Sequence, residues 1–482
     1  MEKSTRNRLY SLASTVITAI SGLVAIPILN SEYGIEAVAV VGLYFLMQQW
    51  FAIIESVFNA EVTRVTTSFS SSIIDYEEWQ LLLRGQQTLL ILVSIIMASI
   101  LAFVAESGYK LIELEQASED TKLIFYCLSL SLVIRMFSGL ERAIYRGLQK
   151  FKKLAIITSI FFLLRFPCAA LFVSYFDFPL VAFAVLQFIL VILELSVQKL
   201  SSPVGLSLEP RLPRLSSFAI SNLFLSLLGV LSGQLDKLFV LGKATQEEFA
   251  IYSLGVQFAV GISLISRGFS NVALSEVAKA FDEGDQDRLS ATLDASISSL
   301  AAILIPGTLF IIIFSSELMF FWLGDSHLAN EAQVSTSLLC FAAALSAFNF
   351  YAYLTSNALR NFSVHIMFSI SYTILYALAL SVNMLEDKLL YASLVAVFFN
   401  LISLATYLPW NLRKIGYTHL GRTMNKSMTI VFRSAAIALA LKSILYFVPN
   451  VSKMVDLVAF LLAVGVYLQF TYWQFSVLSH KK

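Results

Sequence analysis

Charge is scarce in this sequence: 13% of its 482 residues are Asp, Glu, Lys or Arg, against 58% hydrophobic. A soluble globular domain of that length could not stay dispersed with so little charge, so most of the chain must be dissolved in lipid. The formal net charge of +1 offers no basic balance to draw in nucleic acid. Cysteine is scarcer still. Cys127, Cys168 and Cys340 lie far apart in apolar runs without metal-ligand spacing and read as small buried hydrophobes; neither a disulfide nor a metal site is expected. His327, His365, His419 and His480 fall in loops or at helix ends, where solvation explains them. No G-x-x-x-x-G-K-[ST] loop occurs, the nearest stretch being GKAT from Gly242, so neither a nucleotide-driven motor nor a cofactor is expected.

Long apolar runs are what the sequence has instead. Stretches of about 20 residues, each able to cross ~30 Å of hydrocarbon, start near Leu9, Glu36, Gln86, Leu123, Leu154 and Leu180. A second set starts near Ser216, Gln246, Ala295, Val334, His365 and Leu389, and two more start near Met428 and Val455. The expected fold is an all-α polytopic membrane protein of about fourteen spans. It divides into a six-helix lobe over 1–200, a linker over 201–215, a second six-helix lobe over 216–410, and two further helices over 411–482. The run from Leu9 to Leu29 follows Lys3, Arg6 and Arg8 as a signal peptide would, but it is long, lacks an A-x-A site and reads as a retained helix. Lys and Arg cluster in alternate loops, as at Arg142 to Lys153 and Arg413 to Lys426, which places those loops and both termini in the cytoplasm.

The two lobes carry traces of a repeat. A shift of 208 positions lays Glu32–Tyr44 on Val240–Tyr252, matching Gly34 with Gly242 and Tyr44 with Tyr252, and then Gln49 with Gln257. A shift of 211 pairs RGLQKF from Arg146 with NALRNF from Asn357. An even number of helices per unit makes the halves parallel, related by an axis along the membrane normal, with a cavity expected between them.

Polar residues inside the spans mark candidate sites. In the first helix Ser11, Ser14, Thr18 and Ser21 form one small, polar face, and the 208 shift carries it onto Asn222, Ser226 and Gly229. Such faces either pack closely against neighbours or line water together with Gln49 and Gln257. Ions at membrane depth discriminate better, because each costs at least ~2.5–3.5 kcal/mol unless it faces water or a partner. The fourth span sets Ser131, Arg135, Ser138 and Arg142 on one face; the fifth carries Arg165; the seventh carries Asp236 and Lys237; Glu55 and Asn59 sit near the inner end of the second. Arg135 and Arg165 are either cavity-facing cations or members of a structural pair with Glu194. Arg142 and Arg267 read as interfacial anchors, and Asp236 as a coupling carboxylate or the partner of a neighbouring cation.

The stretch GQLDKLFVLG (Gly233 to Gly242), followed by the helix of Tyr252, resembles the seventh-helix signature of bacterial polysaccharide exporters, the family that contains the lipid-linked O-antigen flippases. The likeness extends to Pro27, the Gly34–Tyr44 stretch, the linker EGDQDRL, Pro306, FWLGD from Phe321 and the Leu-x-x-Phe turns at Leu148 and Leu359. In hydropathy and order it covers roughly the first 410 residues. Multidrug and toxin extruders and lipid II flippases share the two-lobe plan. The chain departs from the family's usual twelve helices by two more, and the middle of its first helix holds no cation.

The resemblance implies a transporter, not an enzyme, that moves an undecaprenyl-pyrophosphate-linked oligosaccharide from the inner to the outer leaflet by alternating access. It points to the bacterial cytoplasmic membrane, and to membrane lipids, a polysaccharide polymerase and chain-length machinery as partners, with no nucleic acid. Arg135, Arg165, Lys237 and Arg267 would meet the pyrophosphate. Asp236 and Glu55 would couple or gate transport, with H⁺ or Na⁺ as counter-ion. Ser14, Thr18, Asn222, Ser226, Gln49 and Gln257 would line the cavity. A cation-coupled multidrug extruder, in which the acids would matter more than the arginines, is the alternative. A membrane-embedded glycan polymerase or ligase fits less well, because the outer loops are short of candidate catalysts.

Overall fold

The computed structural model describes residues 3–70, 72, 74–108, 119–200, 202, 217–282, 284–358, 362–417 and 420–446. Among them all regular structure is helical. The helices are α1 (Lys3–Ser70), α2 (Tyr76–Gly108), α3 (Glu119–Gly147) and α4 (Phe151–Leu163), then α5 (Ala169–Phe172), α6 (Pro179–Leu200) and α7 (Ser217–Lys243). They continue as α8 (Gln246–Asp282), α9 (Gln286–Ile313), α10 (Ser315–Leu323) and α11 (Ser326–Ala358), then α12 (Ser363–Val382), α13 (Lys388–Ile402), α14 (Leu408–Lys414) and α15 (Leu420–Tyr446).

Eight described segments are long and apolar enough to cross a bilayer: Tyr76–Ser99, Lys122–Gly147, Phe151–Tyr175 and Pro179–Leu200, then Gln286–Ile313, Ser326–Ser356, Ser363–Val382 and Lys388–Lys414. The chain is therefore a multi-pass helical membrane protein. Other expected spans lie within α1, α7, α8 and α15, whereas the one starting near Val455 falls outside the described residues.

At 68 residues, α1 would run about 100 Å if straight, some three times the hydrocarbon thickness. It is broken at Gly34, whose φ of 75° and ψ of −176° are open to glycine alone without strain. That break separates the first two expected spans. At the repeat-related position α7 ends outright, and α8 starts behind a capping box. The Glu248 backbone N–H donates to the Thr245 hydroxyl at 3.2 Å, and the Thr245 N–H donates to the Glu248 carboxylate at 2.7 Å. The same repeat boundary is thus built by two different devices.

The chain separates into two compact units, residues 1–250 and 251–482, so that α7 groups with the N-terminal unit through its packing on α1. The first unit has its core where α1, α2, α3 and α6 meet, around Leu29, Val62, Trp79, Leu132 and Phe183. The indole of Trp79 stacks flat on Phe69 at 4.2 Å and donates to the Thr66 hydroxyl at 3.2 Å, fixing the entry of α2 on the end of α1. In the second unit α9, α11 and the α13–α14 segment pack around Leu293, Leu300, Tyr351 and Leu412. There α15 lies along α9, with Ala438 against Phe310 and Phe314, and Lys442 bridges to Glu317 at 3.2 Å.

Two spans contain a wide π turn, Leu164–Cys168 in the first unit and Ser403–Tyr407 in the second. Each has a proline at hand, Pro167 within the turn and Pro409 two residues beyond it. Lacking an N–H and crowding the carbonyl four residues back, proline cannot extend the i→i+4 ladder, and the helix widens. Cys340 is buried as expected and Cys127 half-buried, but Cys168, the last residue of the first π turn, is exposed.

Candidate functional site: a buried charge cluster in the N-terminal unit

One face of α3 repeats a polar side chain every third or fourth residue, at Ser131, Arg135, Ser138 and Arg142, and that face meets α1 on one side and α6 on the other. Arg142 is the bridge. One nitrogen donates to Glu55 of α1 at 2.9 Å and the other to Glu194 of α6 at 3.2 Å. Gly139 makes the approach of α1 possible, because a Cβ there would occupy the space of the Glu55 carboxylate. Glu55 also accepts from Asn59, one turn along α1, at 3.0 Å.

Glu194 is fully buried and shared. Its Oε1 accepts from Arg142, from the Ser138 hydroxyl at 3.3 Å and from the Gln198 amide at 3.1 Å, and its Oε2 faces Arg165 at 3.7 Å. Arg165 sits in the first π turn with 0% of its surface exposed. Its Nε donates to Gln187 at 3.1 Å and one terminal nitrogen to the Tyr44 phenol oxygen at 2.7 Å. The Gln187 amide donates in turn to the Arg165 main-chain carbonyl, a group that the wider turn takes off the regular ladder. Every helix of the cluster thus contributes at least one polar group. Leaving such a group unmatched in hydrocarbon would cost several kcal/mol.

Arg135 differs from the other two arginines. Its guanidinium and that of Arg165 both approach the Phe162 ring, at 5.2 Å and 5.8 Å from its centre. Its Nη1, like that of Arg165, is buried with no hydrogen-bond partner, but Arg165 also faces the Glu194 carboxylate at 3.7 Å. Arg135, Arg142 and Arg165 set against Glu55 and Glu194 leave one positive charge in excess, and Arg135 carries it. Nearby, Glu141 is fully buried and neutralised by Lys199.

Residues 52–331 match the model of the family described as polysaccharide biosynthesis protein. The chain belongs to this family. No curated protein matches it by sequence. Among solved structures, this polysaccharide biosynthesis protein is similar to a lipid II flippase, MurJ, in its inward closed conformation: TM-score 0.70 and 15% identity over 98% of this chain and 99% of that one. It is also similar to a MOP superfamily transporter from Pyrococcus furiosus (TM-score 0.63, 12% identity, 86% and 95% covered). A multidrug resistance MATE family transporter of the MOP superfamily, inward-facing, matches at TM-score 0.62 and 12% identity, with 85% and 94% covered. At these identities the likeness establishes a shared fold.

The other residues singled out from the sequence are more dispersed in the polysaccharide biosynthesis protein. Asp236 is buried on α7, and Lys237 curls back to it at 3.2 Å while donating to the Gly233 carbonyl at 2.7 Å, so the two charges offset each other locally. Ser14 and Thr18 are half-buried on α1, and Gln257 is half-buried on α8. Gln49, Asn222, Ser226 and Arg267 lie on α1, α7 and α8, but their side chains are outside the described set. Three participants were not singled out: Gln187, Gln198 and the phenol of Tyr44. The signal for the first two was present, since Gln187, Glu194 and Gln198 recur at seven and four residues along an otherwise apolar span.

Proposed function

We propose that the protein is a flippase that carries an undecaprenyl-pyrophosphate-linked oligosaccharide from the cytoplasmic to the outer leaflet of the bacterial cytoplasmic membrane. The observation that supports this most is the unpaired Nη1 of Arg135 in a cluster whose other ions offset one another. A guanidinium held in a dehydrated setting is matched in charge and shape to a phosphate oxygen pair. Family membership and the fold shared with a lipid II flippase are consistent with such a cargo. An interior-negative potential would favour outward movement of the anionic head by about 2.3 kcal/mol per charge per 100 mV.

The drug-extruder reading needs a carboxylate free to take a cation. Among the described residues of the N-terminal unit, Glu55, Glu141, Glu194 and Asp236, the buried or half-buried acids other than the capping-box Glu248, each already hold an Arg or Lys. In the cluster of Arg135, Arg142, Arg165, Glu55 and Glu194 the charge in excess is a cation, which favours an anionic substrate. Flipping of a fluorescent undecaprenyl-pyrophosphate oligosaccharide in proteoliposomes tests the proposal. Arg135→Gln should lower the rate at least about tenfold, with Arg135→Lys retaining part of it because the charge stays but the fork is lost. Wild-type flipping by Arg135→Gln would remove the assignment.

A further inference from the structure

The second π turn has an environment unlike the first. Helices α11, α12 and the α13–α14 segment hold no Asp, Glu, Lys or Arg between Ala332 and Ala358, between Phe362 and Leu385, or between Leu389 and Leu412. What surrounds Ser403–Tyr407 is neutral, polar and aromatic. The Tyr407 phenol oxygen lies 2.6 Å from His365 Nδ1, and its ring stacks parallel on Phe368 at 3.7 Å. The Tyr353 ring stands 5.7 Å from the imidazole. Asn411 donates to the Tyr407 main-chain carbonyl at 3.0 Å. Asn349 donates from its amide to the Asn400 carbonyl at 3.2 Å, just before the turn, while its own Oδ1 is buried without a partner.

We infer that this turn is a subsite for neutral sugar rings, formed by Asn349, Tyr353, His365 and Tyr407; the inference rests on the function proposed above and assigns the glycan part of that cargo to the C-terminal unit. An orphan acceptor among rings calls for a ligand that donates hydroxyl hydrogen bonds from its edge and presents C–H groups on its face, which is the chemistry of a pyranose. An ion would find no counter-charge here. Asn349, Tyr353 and His365 are half-buried, so part of each side chain is accessible around the buried Asn349 Oδ1. They lie toward the end of the spans that joins the Arg360 loop, the end at which a cytoplasmic substrate would arrive. π turns recur at functional sites because they re-aim side chains that a regular helix would stagger. In this chain one aims Arg165 and the other Tyr407.

The test compares binding of undecaprenyl pyrophosphate with and without a neutral oligosaccharide to the full-length protein in nanodiscs. Wild type is expected to bind the glycosylated lipid about tenfold more tightly than the bare one. Asn349→Ala and Tyr353→Leu should bring that preference to within about twofold while leaving affinity for the bare lipid unchanged. Arg135→Gln should weaken both lipids alike. Retention of the full preference in both C-terminal variants overturns the subsite but not the flippase. Failure of wild type to bind either lipid overturns both. Because a core variant can misfold, wild type is also to be crosslinked with a diazirine placed on the sugar. Adducts within residues 349–410 support the subsite, and adducts confined to residues 1–250 overturn it.

Discussion

Gly139 of α3 and Glu55 of α1 contend for one volume: a methyl group on the glycine would stand where the carboxylate now lies. The contact decides how close the second span comes to the fourth, and so whether Arg142 can reach Glu55 and Glu194 together.

Gly139→Ala should therefore destabilise the protein by about 1–3 kcal/mol, the usual cost of overpacking, although alanine is the better helix former. Gly229, where an added methyl group would meet nothing within 4 Å, is the control, and Gly229→Ala should be neutral or slightly stabilising. Thermal unfolding in detergent measures both, and equal melting of the two variants would contradict the packing account.

Glu194 holds two arginines, whereas Arg165 holds one carboxylate and two neutral partners. Glu194→Gln leaves Arg165 buried without a counter-charge and should cost about 3–5 kcal/mol. Arg165→Met should cost less, because Glu194 retains Arg142, Ser138 and Gln198. The order of melting temperatures settles the point, and the reverse order would show that the π-turn arginine, not the α6 acid, organises the cluster.

Arg135 lies among like charges with a buried, unmatched nitrogen, so its presence should lower stability in the absence of substrate. Arg135→Met should raise stability by about 1 kcal/mol while removing transport, the pattern expected where a site is kept under electrostatic strain for function. A melting temperature below wild type would place Arg135 instead among the residues that hold the fold together.

Much of this was legible in the sequence because lipid simplifies the code. Apolar length marks the spans, and two cations seven residues apart on one face of an apolar helix, Arg135 and Arg142, cannot be ignored at membrane depth. The boundary after the first span was also visible, since Gly34 stands between two long apolar runs, and the structure gives it the positive φ that a residue with a side chain avoids. What one chain of letters does not show is the register of distant helices. Glu194 could be named as a partner for Arg165, but its sharing with Arg142, the notch at Gly139 and the two glutamines beside it depend on how α6 slides against α3. The π turns were hidden for a related reason. Pro167 and Pro409 announce an irregularity, and only the packed helices decide whether it becomes a kink, a break or a widened turn.

A π turn fits one residue more than a regular helix would place in the same rise, so Leu164–Cys168 works as a spacer in rotation as well as in length. Excising a single position there would return the span to a regular α-helix of the same rise, with the residues on either side of the turn still in phase. The guanidinium of Arg165 could then no longer keep company with Tyr44 and Gln187 while Ala169 and Ala170 stayed in the core. A one-codon deletion at this turn should therefore spare the packing of the fifth span and strike the charge cluster instead, whereas the same deletion in the regular part of the helix should disturb everything beyond it.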